Sequence, residues 1–202
     1  SSDLVAIVGI GMHPFGRHEG VSGMEQGAAA IRTACADANV KWADLEFAFG
    51  GSVAAGNPDS MVSQMGLTGL QFINVVNGCA TGGSALISAY NTIKSGAFDL
   101  GLAIGFDKHE RGAFRVNTGK SGERDWYGGS GMALTTQFFG MKINRYMEEY
   151  GITQDALARV SAKAFRNGSM NENAWRRQAF TEKEVLQSAM LSYPLTQYMF
   201  CS

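Results

Sequence analysis

Proline and cysteine are both scarce here, with three of each in 202 residues. The cysteines, Cys35, Cys79 and Cys201, are odd in number and lack metal-ligand spacing. That argues against a disulfide framework or a zinc site and predicts a reduced, cytoplasmic protein with no bound metal. Scarce proline leaves helices unbroken. Charged residues make up only 17% and nearly cancel, at a net charge of −1. Such a balance gives no support for binding nucleic acid or a membrane surface. No apolar run approaches the roughly 18–20 residues that would span a bilayer. The opening SSDLVAIVGIG has no basic stretch, so no signal peptide is expected. Glycine is plentiful at 26 residues, and 45% of the chain is hydrophobic. A chain of this length and composition buries a real core, in one large domain or two small ones.

The chain is organised around Gln71 to Ala97, QFINVVNGCATGGSALISAYNTIKSGA. A short apolar run ends at Asn77-Gly78, Cys79 follows, and a helical pattern begins near Ala80. A strand feeding a helix with a thiol at the joint suits a reactive cysteine. First-turn amides have no intrahelical partner and the helix dipole is positive there. Both favour an anion, and the thiolate is the nucleophile. Gly78, Ala80, Thr81, Gly82 and Gly83 leave room for a substrate. The competing reading is a small buried hydrophobe, the commoner fate of a lone cysteine.

Leu4 to Ile10 is a continuous apolar run and predicts a strand buried on both faces. Gly9-x-Gly11 does not continue as a dinucleotide fingerprint, because Pro14 stands where the third glycine belongs. Ser22 and Glu25 form a capping box. Met24, Ala28, Ile31, Cys35 and Ala38 then share one helical face, and Asn39 is a stop. Asp44 to Gly51 predicts a strand with Leu45, Phe47 and Phe49 on one side, and a short helix runs from Asp59 or Ser60 to Met65. The helix from about Ala80 to Ser95 carries Leu86, Ile87, Tyr90 and Ile93 with no charge before Lys94, as a buried central helix would. Leu100 to Phe106 is the next strand. The alternating order predicts an α/β fold with parallel strands.

Asp107 to Ser130 turns polar and irregular, longer than an ordinary connection. Gly128-Gly-Ser-Gly131 is no nucleophile elbow, since Met132 fills the last glycine position. Helices follow over Met132–Tyr150, from Thr153 to Gly168 with Leu157, Val160, Ala164 and Phe165 inward, and from the capping box Thr181/Glu184 to Leu191. His13, His18 and His109 fall in loops, and Lys108 and Glu110 mark His109 as a surface residue.

The run NGCATGGSAL, with the strands on either side, resembles the nucleophile segment of the thiolase superfamily. It is most similar to the sterol-carrier-protein-x or lipid-transfer-protein branch, which carries Asn-Asn-Cys-Ser/Ala-Thr-Gly-Ser there. Asn77, Cys79, Ala80, Thr81 and Gly82 match, and Gly78 replaces the second Asn. The resemblance implies the N-terminal half of a thiolase-like α/β fold, a mixed five-stranded sheet covered by helices. Residues 1–202 would form that half, with a core of about 1–107 and 131–202 and a covering loop at about 108–130. The C-terminal half would be absent, so the chain reads as part of a longer polypeptide.

The chemistry implied is carbon–carbon cleavage of a 3-oxoacyl-CoA through a thioester on Cys79, with coenzyme A as co-substrate and branched or steroid side chains as candidate acyl groups. The family's second cysteine, its histidine and the base for the thiol belong to the other half. Arg111, Arg115, Lys120 and Arg124 of the covering loop would meet the phosphates of coenzyme A. The interleaved Glu110, Glu123 and Asp125 fit a solvated loop equally well. A homodimer is implied through Gln71 to Val76. The same branch contains steroid aldol lyases that work with a DUF35 partner, and a non-catalytic supporting subunit is a third reading.

Overall fold

The computed structural model describes residues 4–52, 57–109 and 135–200. The chain divides into two compact units, residues 1–110 and 111–202.

The first unit is built on helix α1, Gly23–Ala38, which starts where expected. Ser22 Oγ accepts from the Glu25 N–H and the Glu25 carboxylate accepts from the Ser22 N–H at 2.7 Å. Those bonds, the Ser22 backbone donor first, hold the Glu25 carboxyl below its ordinary range. Asn39 ends the helix in the left-handed conformation, φ 54°. Strands β1 (Phe47–Gly51), β2 (Gln71–Asn74) and β3 (Gly101–Gly105) form a three-stranded parallel sheet in the order β2-β1-β3. Phe47 lies opposite Gln71 on one side and Gly101 on the other. A single-turn helix, Trp42–Asp44, precedes β1, and another turn leads into α2, Val62–Met65.

Ala28, Ile31, Ala48, Met61, Leu102, Ile104 and Phe106 form the core, with Met24 and Cys35 packed at its edge. Ile31 and Met61 are completely buried, each contributing about 1.5–3 kcal/mol. Helix α3, Thr81–Lys94, lies against β1 and β3. Gly51 and Gly105 permit the approach. A Cβ on Gly51 would collide with Thr81 Cγ2 and the Val75 carbonyl, and one on Gly105 would lie 3.9 Å from Gly82 Cα. The Glu46 carboxylate clamps the entry to β3, accepting from the Asp99 N–H at 2.7 Å and the Leu100 N–H at 2.9 Å. Its carboxyl is held below the ordinary range by Leu100 first and Asp99 second.

Two expectations need correction in this unit. Residues 4–10 form no strand among the described residues. Gly9 and Gly11 dock on the backbone of α1, and the Ile10 N–H donates to the Asp37 carboxylate at 2.9 Å. Ile7 is 71% exposed, with Leu4, Val8 and Ile10 also open. The apolar run signals a need for cover on both faces but names no ladder partner, and here a helix takes one side. Second, α3 is not buried all round. Thr81, Ala85 and Ala89 form the buried stripe, whereas Ile87 is 63% exposed and Leu86 and Tyr90 are open. The small residues are the ones that fit against the sheet. The α/β class with a parallel sheet, expected from the sequence, holds.

The second unit contains α4 (Thr135–Tyr150), α5 (Gln154–Met170), α6 (Glu182–Gln187) and an antiparallel pair, β4 (Met190–Ser192) with β5 (Leu195–Thr196). The predicted capping box is present: Thr181 Oγ1 accepts from the Glu184 N–H at 3.2 Å and the Glu184 carboxylate accepts from the Thr181 N–H at 2.8 Å. Phe180 stacks on Tyr198 at 4.3 Å and meets Phe165 edge-on at 4.9 Å. Thr196 Oγ1, completely buried, donates to the Val185 carbonyl at 2.8 Å. The stripe of α5 is rotated from the expectation: Ala158 is fully buried and Val160 is 69% exposed. The helix also passes Gly168 to end at Met170, because a glycine weakens a helix without stopping it.

Candidate active site

The sequence places a left-handed residue, a thiol and a helix start in one run, and the structure shows what fixes them. Strand β2 ends at Asn74, and the Val75 N–H donates to the Gly50 carbonyl at 2.7 Å. The chain then turns at Gly78, whose φ of +52° favours glycine. A single turn, Gly78–Ala80, carries Cys79 into α3. The Thr81 hydroxyl ties this turn on both sides: Oγ1 accepts from the Asn77 N–H and donates to the Gly78 carbonyl, each at 2.8 Å. Asn77 Nδ2 donates to Ser84 Oγ at 2.9 Å, pinning the turn to the next turn of the helix.

Cys79 itself is exposed. Space is open at Gly78, Gly82 and Gly83, where an added Cβ would meet nothing within 4 Å. The turn that carries Cys79 is therefore held by its neighbours, and the residue is approachable from outside. Cys35 is the contrast. It is half-buried beside the core, and burial, with Asp44 second, pushes its thiol up.

The strands are parallel, so their C-terminal ends share one edge of the sheet. Cys79 follows β2 on that edge. A second cluster follows β1 and β3 there. Ser52 Oγ donates to Asp107 Oδ1 at 3.3 Å, and the Lys108 N–H donates to the same oxygen at 3.1 Å. Asp107 Oδ2 pairs with His109 Nε2 at 3.2 Å. Lys108 Nζ donates to the carbonyls of His18 and Val21, clipping the loop before α1 to the end of β3. His13 and His18 face each other edge-on at 4.6 Å, each with a ring nitrogen 2.9 Å from the Pro14 carbonyl. Sequence reasoning left His109 as a surface residue, and its side chain is 43% exposed. What that reasoning missed is the carboxylate holding it. The signal was an Asp-x-His immediately after a buried strand. Among the described residues no group of three or more His, Cys, Asp or Glu is placed to hold a metal.

Arg111, Arg115, Lys120 and Arg124, like most of the covering loop and Cys201, lie outside the described residues. Strand β2, expected to pair between subunits, is an edge of the described sheet.

The family model for the thiolase N-terminal domain matches residues 5–187. Sterol carrier protein 2 of Bos taurus is 30% identical over 98% of this chain and 39% of its own length. The acetyl-CoA acetyltransferase of Methanothermobacter thermautotrophicus is 30% identical over 95% of this chain and 52% of its own. The Ltp2-ChsH2(DUF35) aldolase superposes with a TM-score of 0.79 at 21% identity, covering 98% of this chain and 52% of that one. The chain thus spans between two fifths and about half of the length of these proteins. By its sequence and its fold, the chain belongs to the thiolase family as an N-terminal domain, related to the sterol-carrier and lipid-transfer branch.

Proposed function

We propose that this protein is a thiolase-type acyl-CoA enzyme with Cys79 as its nucleophile. The observation that carries the proposal is the exposed, tethered thiol on the C-terminal edge of a parallel sheet, with open space at three neighbouring glycines. Cys79 Sγ attacks the keto carbon of a 3-oxoacyl-CoA and the carbon–carbon bond beside it breaks. The electron pair leaves on the released acetyl-CoA (or propionyl-CoA) carbon, which takes up a proton. The acyl group stays on sulfur as a thioester until coenzyme A collects it. Each addition builds an oxyanion that needs preset donors, and the Cys79 N–H at the helix start is one candidate.

Arg111, Arg115, Lys120 and Arg124 are proposed to hold the phosphates of coenzyme A. A homodimer is proposed through Gln71 to Val76. An exposed edge strand supports it, with Gln71, Ile73, Asn74 and Val76 open to solvent in the single chain. Pairing β2 with its copy across a two-fold axis would close that edge. A branched or steroid acyl chain is the proposed substrate class, on the likeness to the sterol-carrier branch.

The competing reading is retro-aldol cleavage of a β-hydroxyacyl-CoA with a DUF35-type partner. The accessible thiol favours thiolysis, because retro-aldol chemistry has no use for a nucleophilic sulfur. The test is alkylation of the full-length protein followed by peptide mass analysis. Preferential labelling of Cys79, prevented by acyl-CoA, supports the thiolase reading. An unlabelled Cys79 in a protein that still cleaves a β-hydroxyacyl-CoA supports the aldolase, and neither result leaves a non-catalytic subunit.

A further inference from the structure

The reading of Cys79 makes no use of a cleft in the second unit. Arg159, Ala162, Lys163 and Arg166 line it from α5, and Ala179, Phe180 and Glu182 line it from the segment that enters α6. Its volume is about 370 Å³, within the range of small-molecule sites. We propose that this cleft binds a phosphate-bearing small molecule, with Arg159, Lys163 and Arg166 on its negative charge and Phe180 against its organic part.

Positions 159, 163 and 166 are about one turn apart, so the three cations stand on one face of the helix. At 1.5 Å per residue they span about 10 Å, enough for a diphosphate. Arg159 reaches Glu182 at 3.7 Å, but both side chains are more than half exposed. Such a pair contributes little and exchanges readily. Lys163 and Arg166 have no ion pair among the described residues. The lining therefore sets three cations against one carboxylate, and a phosphate dianion balances the excess. Guanidinium groups match phosphate oxygens in pairs, and an ammonium adds a point charge.

The rest of the lining suits an organic body. Ala162 and Ala179 are short, which leaves the cleft open. Phe180 is an apolar wall held in place by Tyr198, stacked at 4.3 Å, and by Phe165, edge-on at 4.9 Å. Glu184 does not compete for the cations. Its carboxylate is committed to the capping box, accepting from the Thr181 N–H at 2.8 Å and the Thr181 hydroxyl at 2.7 Å. Cations beside an aromatic ring fit a phosphorylated organic molecule better than a bare inorganic ion. Two sources carry that chemistry, a free nucleotide and coenzyme A, and binding measurements separate them.

The test is titration calorimetry of the full-length protein with ADP, with inorganic pyrophosphate and with coenzyme A. ADP should bind saturably and more tightly than pyrophosphate, which has no group for Phe180. Charge-assisted bonds to phosphate are the strong kind, so Lys163→Ala and Arg166→Ala should each weaken ADP by about tenfold. Arg166→Lys should recover part of the loss. Glu182→Gln removes the competing carboxylate and should tighten ADP by about threefold. Lys183→Ala changes the charge beside the cleft but not in its lining, and should leave ADP unaffected. All these side chains belong to exposed residues, so circular dichroism should match the wild type. With ADP weakened in the alanine variants, coenzyme A weakened alongside names the substrate as the source, and coenzyme A unaffected names a free nucleotide. No saturable ADP binding, ADP bound no better than pyrophosphate, wild-type affinity in both alanine variants, or an equal loss in Lys183→Ala overturns the proposal. None of these readouts involves acyl transfer, so the reading of Cys79 stands or falls separately.

Discussion

Replacing Thr81 with valine keeps the shape of the side chain and removes one oxygen. That oxygen bridges the Asn77 N–H and the Gly78 carbonyl at 2.8 Å each, so the substitution unties the turn before Cys79 on both sides. Thr81 is buried at 8% exposure, so water does not simply take the place of the hydroxyl. Each bond contributes about 1 kcal/mol net, and a donor left unpaired costs somewhat more than that. The expected loss is about 2 kcal/mol. For a domain of this size that lowers the melting temperature by about 4–8 °C. The β-branched shape is retained, so packing against Gly51 is not disturbed and the loss belongs to the hydroxyl. Thr81→Ser, which keeps the oxygen, should retain most of the stability. Thermal unfolding and the alkylation rate of Cys79 are read on the same samples. A valine variant that melts with the wild type and is alkylated at the same rate refutes the claim that this hydroxyl positions the thiol.

Gly51→Ala should be more damaging than Thr81→Val, because the new Cβ meets the Val75 carbonyl and Thr81 Cγ2 with backbone on one side. A cost of about 3 kcal/mol is expected, read by thermal melting, and a variant as stable as the wild type contradicts the close approach of α3 to β1. The Glu46 carboxyl is held low by the Leu100 and Asp99 amides, so its contribution is complete above the ordinary carboxylate value of about 4.3 and is lost as pH falls through the lowered one. Glu46→Gln should therefore lower the melting temperature at neutral pH and flatten its decline on acidification below that value. Ile73→Lys puts a charge on the exposed edge strand and should shift the full-length protein from dimer towards monomer in sedimentation, and an unchanged dimer places the interface elsewhere.

Much of the local structure was legible because it is specified by short-range chemistry. The capping boxes at Ser22/Glu25 and Thr181/Glu184 need only residues three apart, and both formed. Asn39 as a helix stop and Gly78 before the thiol follow from the left-handed conformations those residues tolerate. The position of Cys79 at a strand–helix joint was likewise readable from the pattern. What failed was the prediction of which faces find cover. Leu4 to Ile10 and the Leu86–Ile87–Tyr90 face of α3 are apolar enough to be buried, yet burial depends on partners that periodicity does not name. Asp107 and His109 were hidden for a related reason. Two charged neighbours made the loop look solvated, and only the fold brings Ser52, 55 residues away in sequence, to the carboxylate.

The most direct test of the account is to trap the acyl-enzyme. The full-length protein is mixed with a 3-oxoacyl-CoA in the absence of free coenzyme A, quenched in acid and digested, and the peptide bearing Cys79 is weighed. The account predicts that this peptide gains the mass of the shortened acyl group and loses it again when coenzyme A is added before the quench. Cleavage of the substrate with Cys79 unmodified, or an acyl group found only on another residue, would contradict it.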